Sequence, residues 1–355
     1  MARALPVVSS RRAAARPAPP RPGDFVADAP LRDAQGRTYS YARLSVTDRC
    51  DMACMYCMPE GGEAEHGLRA EILADAEIAR LVAVLARAGV RRFRLTGGEP
   101  LVRPGVPALV AAMRAAGATE VVLTTNASLL ARHAAALAEA GLSGVNVSID
   151  SLAPARFAAI TRGGDLEAVI GGIDAALAAG LRVKTNTVVL GGVNDDELAP
   201  IVRWAWAREI VPRFIELMPL GEGATLPTER FVSAERMRAA LAPMVEDERG
   251  APTDGAGPAR YVRERGGRRR VGFITAVTDE FCGTCNRVRV TSHGELRACL
   301  ADRAAVSLRD AMRAGASDED LAWSIAWALG AKATGHEFTG STTEHARVGM
   351  SLIGG

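Results

Sequence analysis

The chain has 355 residues, 48% of them hydrophobic, and its 43 basic and 41 acidic residues leave a net charge of +2. That length builds one large core or two smaller ones, and the balanced charge offers no footprint for nucleic acid or an anionic membrane surface. No apolar run reaches the length of a membrane span and no secretory leader pattern is present.

Residues 1–30 read as a disordered tail rich in Arg, Pro and Ala. Its first 23 positions carry five arginines and no acid, and Pro17, Pro19, Pro20 and Pro22 would break the amphipathic helix of a transit peptide. From residue 40, short β-type runs alternate with Ala/Leu-rich helical stretches. Strands are predicted at 42–47, 91–95, 120–124, 144–149, 181–189 and 212–217, and helices at 75–88, 104–116, 128–140, 165–179 and 195–209. Gly89, Gly117, Gly141 and Gly180 stand where four of these helices should stop. Six βα-type repeats with parallel strands allow either a doubly wound sheet or a barrel. The polar signals follow one strand after another at the C-terminal ends, as a barrel with one active face requires. The expected fold is therefore α/β, an incomplete (βα)6 triosephosphate-isomerase-type barrel over residues 31–245. Residues 246–355 read as an α+β extension, with a Gly/Pro/charge-rich loop at 247–268 and strand-like runs at 269–275 and 286–298. A helical tail follows, in which Trp323 and Trp327 at i, i+4 spacing read as core packing. On spacing alone, Gly354-Gly355 reads as a frayed end.

The six cysteines fall into two groups of three, Cys50, Cys54 and Cys57 as C-x3-C-x2-C, and Cys282, Cys285 and Cys299 as C-x2-C-x13-C. A closed zinc site wants four ligands and disulfides want an even number. Three thiolates on a cubane iron–sulfur cluster leave one iron open to a small molecule, so two triplets point to two such clusters. A zinc knuckle or a redox pair is the plainer reading of the first triplet, with His66 as the one local fourth ligand. Thiols that ligate iron need a reducing compartment, which makes the cytoplasm the expected location. Gly97-Gly98-Glu99-Pro100 reads by itself as a turn; beside a metal site its glycines would let backbone approach a ligand and Glu99 would balance an ammonium group. Arg92 and Arg94 alternate with Phe93 on one strand face, a costly pair to turn inward unless an anion lies between them. Of the 43 basic residues only Lys184 and Lys332 are lysine. No Gly-x4-Gly-Lys-Ser/Thr loop exists, which argues against an ordinary nucleotide hydrolase.

The first triplet with the GGEP run resembles the signature of the radical S-adenosylmethionine enzymes. From residue 40 to the C-terminus the chain is similar to one branch of them, the GTP 3′,8-cyclases of molybdenum cofactor biosynthesis. The resemblance is carried by Arg43-Leu-Ser-Val-Thr-Asp-Arg49, Arg94-Leu-Thr-Gly-Gly-Glu-Pro100, Leu123-Thr-Thr-Asn126 and Asn146-Val-Ser-Ile-Asp150. It continues through Lys184-Thr-Asn186, Arg213-Phe-Ile-Glu-Leu-Met218, the second triplet with Asn286-Arg-Val-Arg289, and the terminal Gly-Gly. Two departures, Ala127 where Gly is frequent and Ile149 where Leu is common, read as volume-tolerant changes.

The resemblance implies two 4Fe–4S clusters and S-adenosylmethionine as cofactors, with the second cluster in a C-terminal extension covering the barrel mouth and its open iron on the guanine of GTP. It implies that Tyr56, Gly98, Glu99, Ser148, Arg213 and Met218 hold S-adenosylmethionine. Arg43, Arg92, Arg94, Thr124, Lys184, Arg287, Val288 and Arg289 would hold GTP, with Arg287, Arg289, Gly354 and Gly355 acting in catalysis. A 5′-deoxyadenosyl radical would take hydrogen from the ribose C3′, and the sugar radical would close on guanine C8. Implied partners are GTP, an electron donor of flavodoxin or ferredoxin type, and cyclic pyranopterin monophosphate synthase for the product; a monomer or homodimer is expected, with no nucleic acid or membrane partner. Rival readings are a radical peptide maturase, which usually has more cysteines in its extension, and a zinc-binding interaction protein.

Overall fold

Alternation along the first strand sets the architecture. In this computed structural model, which describes residues 18–19, 21–61, 68–246, 258–279, 281–300 and 306–335, strand β1 (Tyr41–Ser45) is buried on both faces and opens a parallel array. β2 (Arg92–Thr96), β3 (Glu120–Thr125), β4 (Gly144–Ser148), β5 (Arg182–Val189) and β6 (Val211–Glu216) pair with it in chain order, all parallel. A doubly wound sheet would reverse its order around the first strand, and this one does not.

The helices between them are α1 (Asp75–Arg87), α2 (Val106–Ala115), α3 (Leu130–Glu139), α4 (Pro154–Thr161), α5 (Leu166–Ala178) and α6 (Leu198–Trp206). α1 shows why such stretches fold locally. Asp75 and Glu77 sit in its first turn, Glu77 accepts from the Ala74 amide at 2.7 Å, and Ile78, Leu81, Val82 and Leu85 form one buried stripe. Gly89, Gly117, Gly141 and Gly180 follow their helices at φ between +75° and +103°, as their positions predicted.

Further strands from the C-terminal part of the chain add to both edges of this array. β9 (Arg270–Ile274) runs parallel to β6 and carries the antiparallel β8 (Ala259–Glu264) and β7 (Val245–Glu246), backed by α7 (Ala234–Leu241). On the other edge β10 (Arg287–Val290) runs parallel to β1 and carries the antiparallel β11 (Glu295–Arg297) and β12 (Val306–Ser307). Helices α8 (Leu308–Arg313) and α9 (Asp318–Gly330) return to α1, tied by Arg80–Asp318 at 2.8 Å and Arg313–Glu77 at 2.7 Å.

One register row, Val288–Ala42–Phe93–Val121, is fully buried in the main apolar cluster with the helices. The adjacent rows, Arg287–Tyr41–Arg92–Glu120 and Arg289–Arg43–Arg94–Val122, face a cavity on the opposite side. Period-two alternation thus splits each strand between an oily face and a charged one.

Several sequence expectations need correction. The loop at 247–268 contains β8, and the run 286–298 is two strands broken by a turn at Gly294, φ +75°. α4 and α7, each of eight residues, have no counterpart in the sequence reading, and the helical tail expected after residue 298 is two helices, α8 and α9. Part of the expected tail is docked: Phe25 stacks edge-on against Trp323 at 5.2 Å, and Pro19 O accepts from the Trp323 indole. Among the described residues no helix is long and apolar enough to cross a membrane.

Candidate active site

The loop leaving β1 carries Cys50, Cys54 and Cys57, none of them in a disulfide and all half-buried. Cys54 O accepts from the amides of Cys57 and Met58 at 2.8 and 3.0 Å, which folds the triplet into a tight turn. The GGEP loop lies directly on this segment: Gly98 N donates to Thr47 O at 3.0 Å and Glu99 N to Arg49 O at 2.8 Å. A Cβ on Gly97 would meet Thr47 O at 2.4 Å, and one on Gly98 would meet Arg49 O at 2.2 Å. The glycines therefore serve a backbone-on-backbone crossing that positions the cysteine loop. Glu99, fully buried, accepts from Leu101 N, Thr125 Oγ1 and Asn126 N at 2.7–2.9 Å, pinning GGEP to the end of β3. Burial pushes its carboxyl up to about 7.

Tyr56 projects from the triplet and donates to Asp150 Oδ2 at 2.7 Å, while Val188 N donates to Oδ1. Burial raises Asp150 to about 6, against the pull of these donors. Burial likewise lifts Cys50 to about 12 and Cys54 well above the usual thiol range. Thiols this reluctant to ionise alone are thiolates only with a cation to hold.

The cavity, of about 350 Å³, is lined by all six cysteines. Between the triplets lie Arg43, Arg94, Lys184, Arg213, Arg287 and Arg289. Arg94 donates to Thr124 Oγ1 at 3.0 Å and through Nε to the Tyr41 hydroxyl. Burial followed by like-charge neighbours lowers Arg43, and burial brings Arg213 and Arg289 down to about 10. Arg213 Nε and Nη2, Arg289 Nε, Asn146 Nδ2 and Asn186 Oδ1 are buried without a hydrogen-bond partner. A set of crowded cations and unspent donors fits a polyanion with further polar edges.

The second triplet sits at the other end. Cys285 immediately precedes Asn286, whose carbonyl accepts from Tyr41 N at the start of β1, whereas Cys50 lies beyond its end. Five residues at about 3.3 Å each place roughly 16 Å of strand between them. Cys299 returns to the same end because β11 runs antiparallel to β10. Burial opposes ionisation of Cys285, but Arg287 and Lys332 outweigh it and bring the thiol down to about 6. Arg287 Nη2 lies 3.7 Å from Cys285 Sγ.

The cavity thus gathers Tyr56, Gly98, Ser148, Met218, Arg92, Thr124, Lys184 and the residues above. Glu99 is turned into its three protein contacts, and Val288 is packed in the core. Arg92 also pairs with Glu120. Gly354 and Gly355 lie outside the described residues. Reasoning from sequence missed Tyr41, Asn146, Asn186, Tyr261 and Lys332 as cavity residues. Register could have found the first three, since Tyr41 shares a strand face with Arg43, and Asn146 and Asn186 lie opposite Lys184 and Arg213.

The Radical SAM superfamily pattern matches residues 44–205, and the Molybdenum Cofactor Synthesis C pattern matches residues 210–338. A GTP 3′,8-cyclase from Heliobacterium modesticaldum is 47% identical over 328 residues, 91% of this chain and 99% of its own length. Enzymes of that name from Rhodopseudomonas palustris and Caulobacter vibrioides are each 46% identical over 319 residues, covering 88% and 87% of this chain and 91% and 88% of their own. In fold the chain is similar to Streptococcus suis SuiB, crystallised with S-adenosylmethionine, at a TM-score of 0.56 and 13% identity, over 75% of this chain and 61% of that one.

Proposed function

The chain belongs to the GTP 3′,8-cyclase family of radical S-adenosylmethionine enzymes, which act at the first step of molybdenum cofactor biosynthesis, and from that premise we propose how its cavity divides the work. A 4Fe–4S cluster with S-adenosylmethionine, when bound, supplies the one-electron chemistry that starts the cyclisation. Cys50, Cys54 and Cys57 hold that cluster, with Tyr56, Gly98, Ser148, Arg213 and Met218 around the cofactor. Glu99 fixes the GGEP loop, its carboxylate to the end of β3 and its amide to Arg49 O of the cysteine loop.

GTP lies between the two ends of the cavity. Arg43, Arg94 and Lys184 neutralise its triphosphate, with Arg92 at their margin and Thr124 orienting Arg94. Cys282, Cys285 and Cys299 hold a second 4Fe–4S cluster that receives the guanine, and Arg287 and Arg289 neutralise charge and hold protons beside it. The sheet is a barrel left open, its sequential βα array widened by β10 and β9 on its two edges.

One observation carries this reading: two cysteine triplets open from opposite ends into a single cavity whose middle is a cluster of buried arginines. It is tested by anaerobic incubation with GTP, S-adenosylmethionine and dithionite, followed by mass spectrometry. The parent yields 3′,8-cyclo-7,8-dihydro-GTP and 5′-deoxyadenosine and carries about eight irons. Cys50→Ala abolishes 5′-deoxyadenosine formation, whereas Cys299→Ala retains cofactor binding and loses the cyclised product. Colourless protein holding zinc, or cofactor cleavage surviving Cys50→Ala, sinks the assignment.

A further inference from the structure

Lys332, one of only two lysines in the chain, is 4% exposed just beyond α9. Its Nζ donates to Cys285 Sγ at 3.3 Å and to Arg287 O at 3.3 Å. It stands 4.8 Å from the centroid of the Tyr39 ring. A buried ammonium is costly unless its three donors are spent, and here they meet a sulfur, a carbonyl and an aromatic face.

That placement is built by a second set of contacts. The Tyr39 hydroxyl donates to Asp33 Oδ2 at 2.6 Å, and Arg37 pairs with the same carboxylate. Arg37 then donates to Cys282 O and to Ala333 O, each at 2.9 Å. The Arg32–Thr38 bridge closes these residues into a small hairpin. One guanidinium therefore clamps the segment carrying Cys282 to the residue after Lys332, while the ring of the same hairpin supports the Lys332 head. A lysine buried only for packing would not require its neighbour and its ring platform to be fixed to the cysteine segment.

We propose that Lys332 is a positioning residue of the second triplet, a fixed cationic donor to the Cys285 sulfur that raises the reduction potential of the cluster held there. The inference rests on the reading that Cys282, Cys285 and Cys299 hold a 4Fe–4S cluster. Reduction adds one negative charge to such a cluster, and a cation held against a ligand sulfur stabilises the reduced form more than the oxidised one. The hairpin keeps that cation in register with the sulfur.

The test uses the full chain with Cys50, Cys54 and Cys57 all changed to Ala, reconstituted with iron and sulfide and titrated with dithionite under electron paramagnetic resonance. In this background Lys332→Met lowers the reduction equilibrium constant about tenfold, about 59 mV for one electron, and Lys332→Arg keeps it close to the parent. Loss of the cluster in Lys332→Met with retention in Lys332→Arg also supports the role of the cation. The proposal is overturned if Lys332→Met keeps the parent midpoint, or if the Met and Arg variants shift or lose the cluster alike. A background that binds no iron overturns the cluster reading itself, and the proposal with it.

Discussion

Ala127 adopts φ +65° where the chain turns out of β3, with its amide donating to Thr125 Oγ1 at 2.9 Å. The left-handed region costs a residue with a Cβ roughly 1–2 kcal/mol, and glycine pays part of that back as unfolded-chain entropy. Reading Ala127 as a tolerated change of volume therefore weighed the wrong quantity, because the burden lies on the backbone. Ala127→Gly is expected to raise the stability of the protein by up to about 1 kcal/mol, measured as the urea midpoint. A lower midpoint would show that the buried Cβ contributes more than the strain removes. The same distinction governs Gly97 and Gly98. Their identity was legible as a need for close approach, but not whose approach, since the partner backbone at Thr47 and Arg49 lies some fifty residues earlier in the chain.

At the level of elements, the periodic signals were the dependable ones. Long helices with one apolar stripe and a terminal glycine, such as α1 and α5, and strands such as β5 with strict alternation, declare themselves within a dozen residues. α4 and α7 are too short to show a stripe, and β8 offers no clean alternation, since buried Ala259 and Val262 stand three apart with exposed Arg260 and Arg263 beside them. The candidate site was legible where chemistry is local, in the cysteine spacings and GGEP. It was not legible where sheet register makes it, so the placement of the triplets at opposite ends of β1 had to come from the β1–β10 pairing. The crossing of the GGEP loop over the cysteine loop is the element on which the first site depends. Gly98→Ala forces a Cβ to 2.2 Å from a backbone oxygen that cannot step aside. This variant is expected to lose S-adenosylmethionine cleavage and about half its iron, assayed by 5′-deoxyadenosine release and iron analysis. Full cleavage activity would mean the loops are not rigidly coupled.

Across the whole molecule a net charge of +2 conceals an uneven distribution, with cations gathered in the cavity and two carboxyls, Glu99 and Asp150, buried around the first cysteine loop. Burial raises these to about 7 and about 6, against unfolded values of about 4.3 and 3.9. Between those limits the native state holds protons that the unfolded chain has released. The stability they contribute is complete at about pH 4 and is lost as pH rises through 6 and 7. Asp33, Glu77, Glu120 and Asp318 are shifted the other way by arginine partners and hydrogen bonds. Those four are ionised in both states above about pH 5 and add no slope in this window. Cys285, lowered to about 6, adds an opposing slope only above that value. The metal-free protein is therefore expected to resist guanidinium unfolding better at pH 5 than at pH 7, by on the order of 2–3 kcal/mol. Glu99→Gln, which keeps the bulk and part of the hydrogen bonding without the ionisation, flattens most of that difference. A parent profile that is level or rises from pH 5 to pH 7 would mean that Glu99 and Asp150 already ionise in the folded chain, and that the first cysteine loop is wetter than its packing implies.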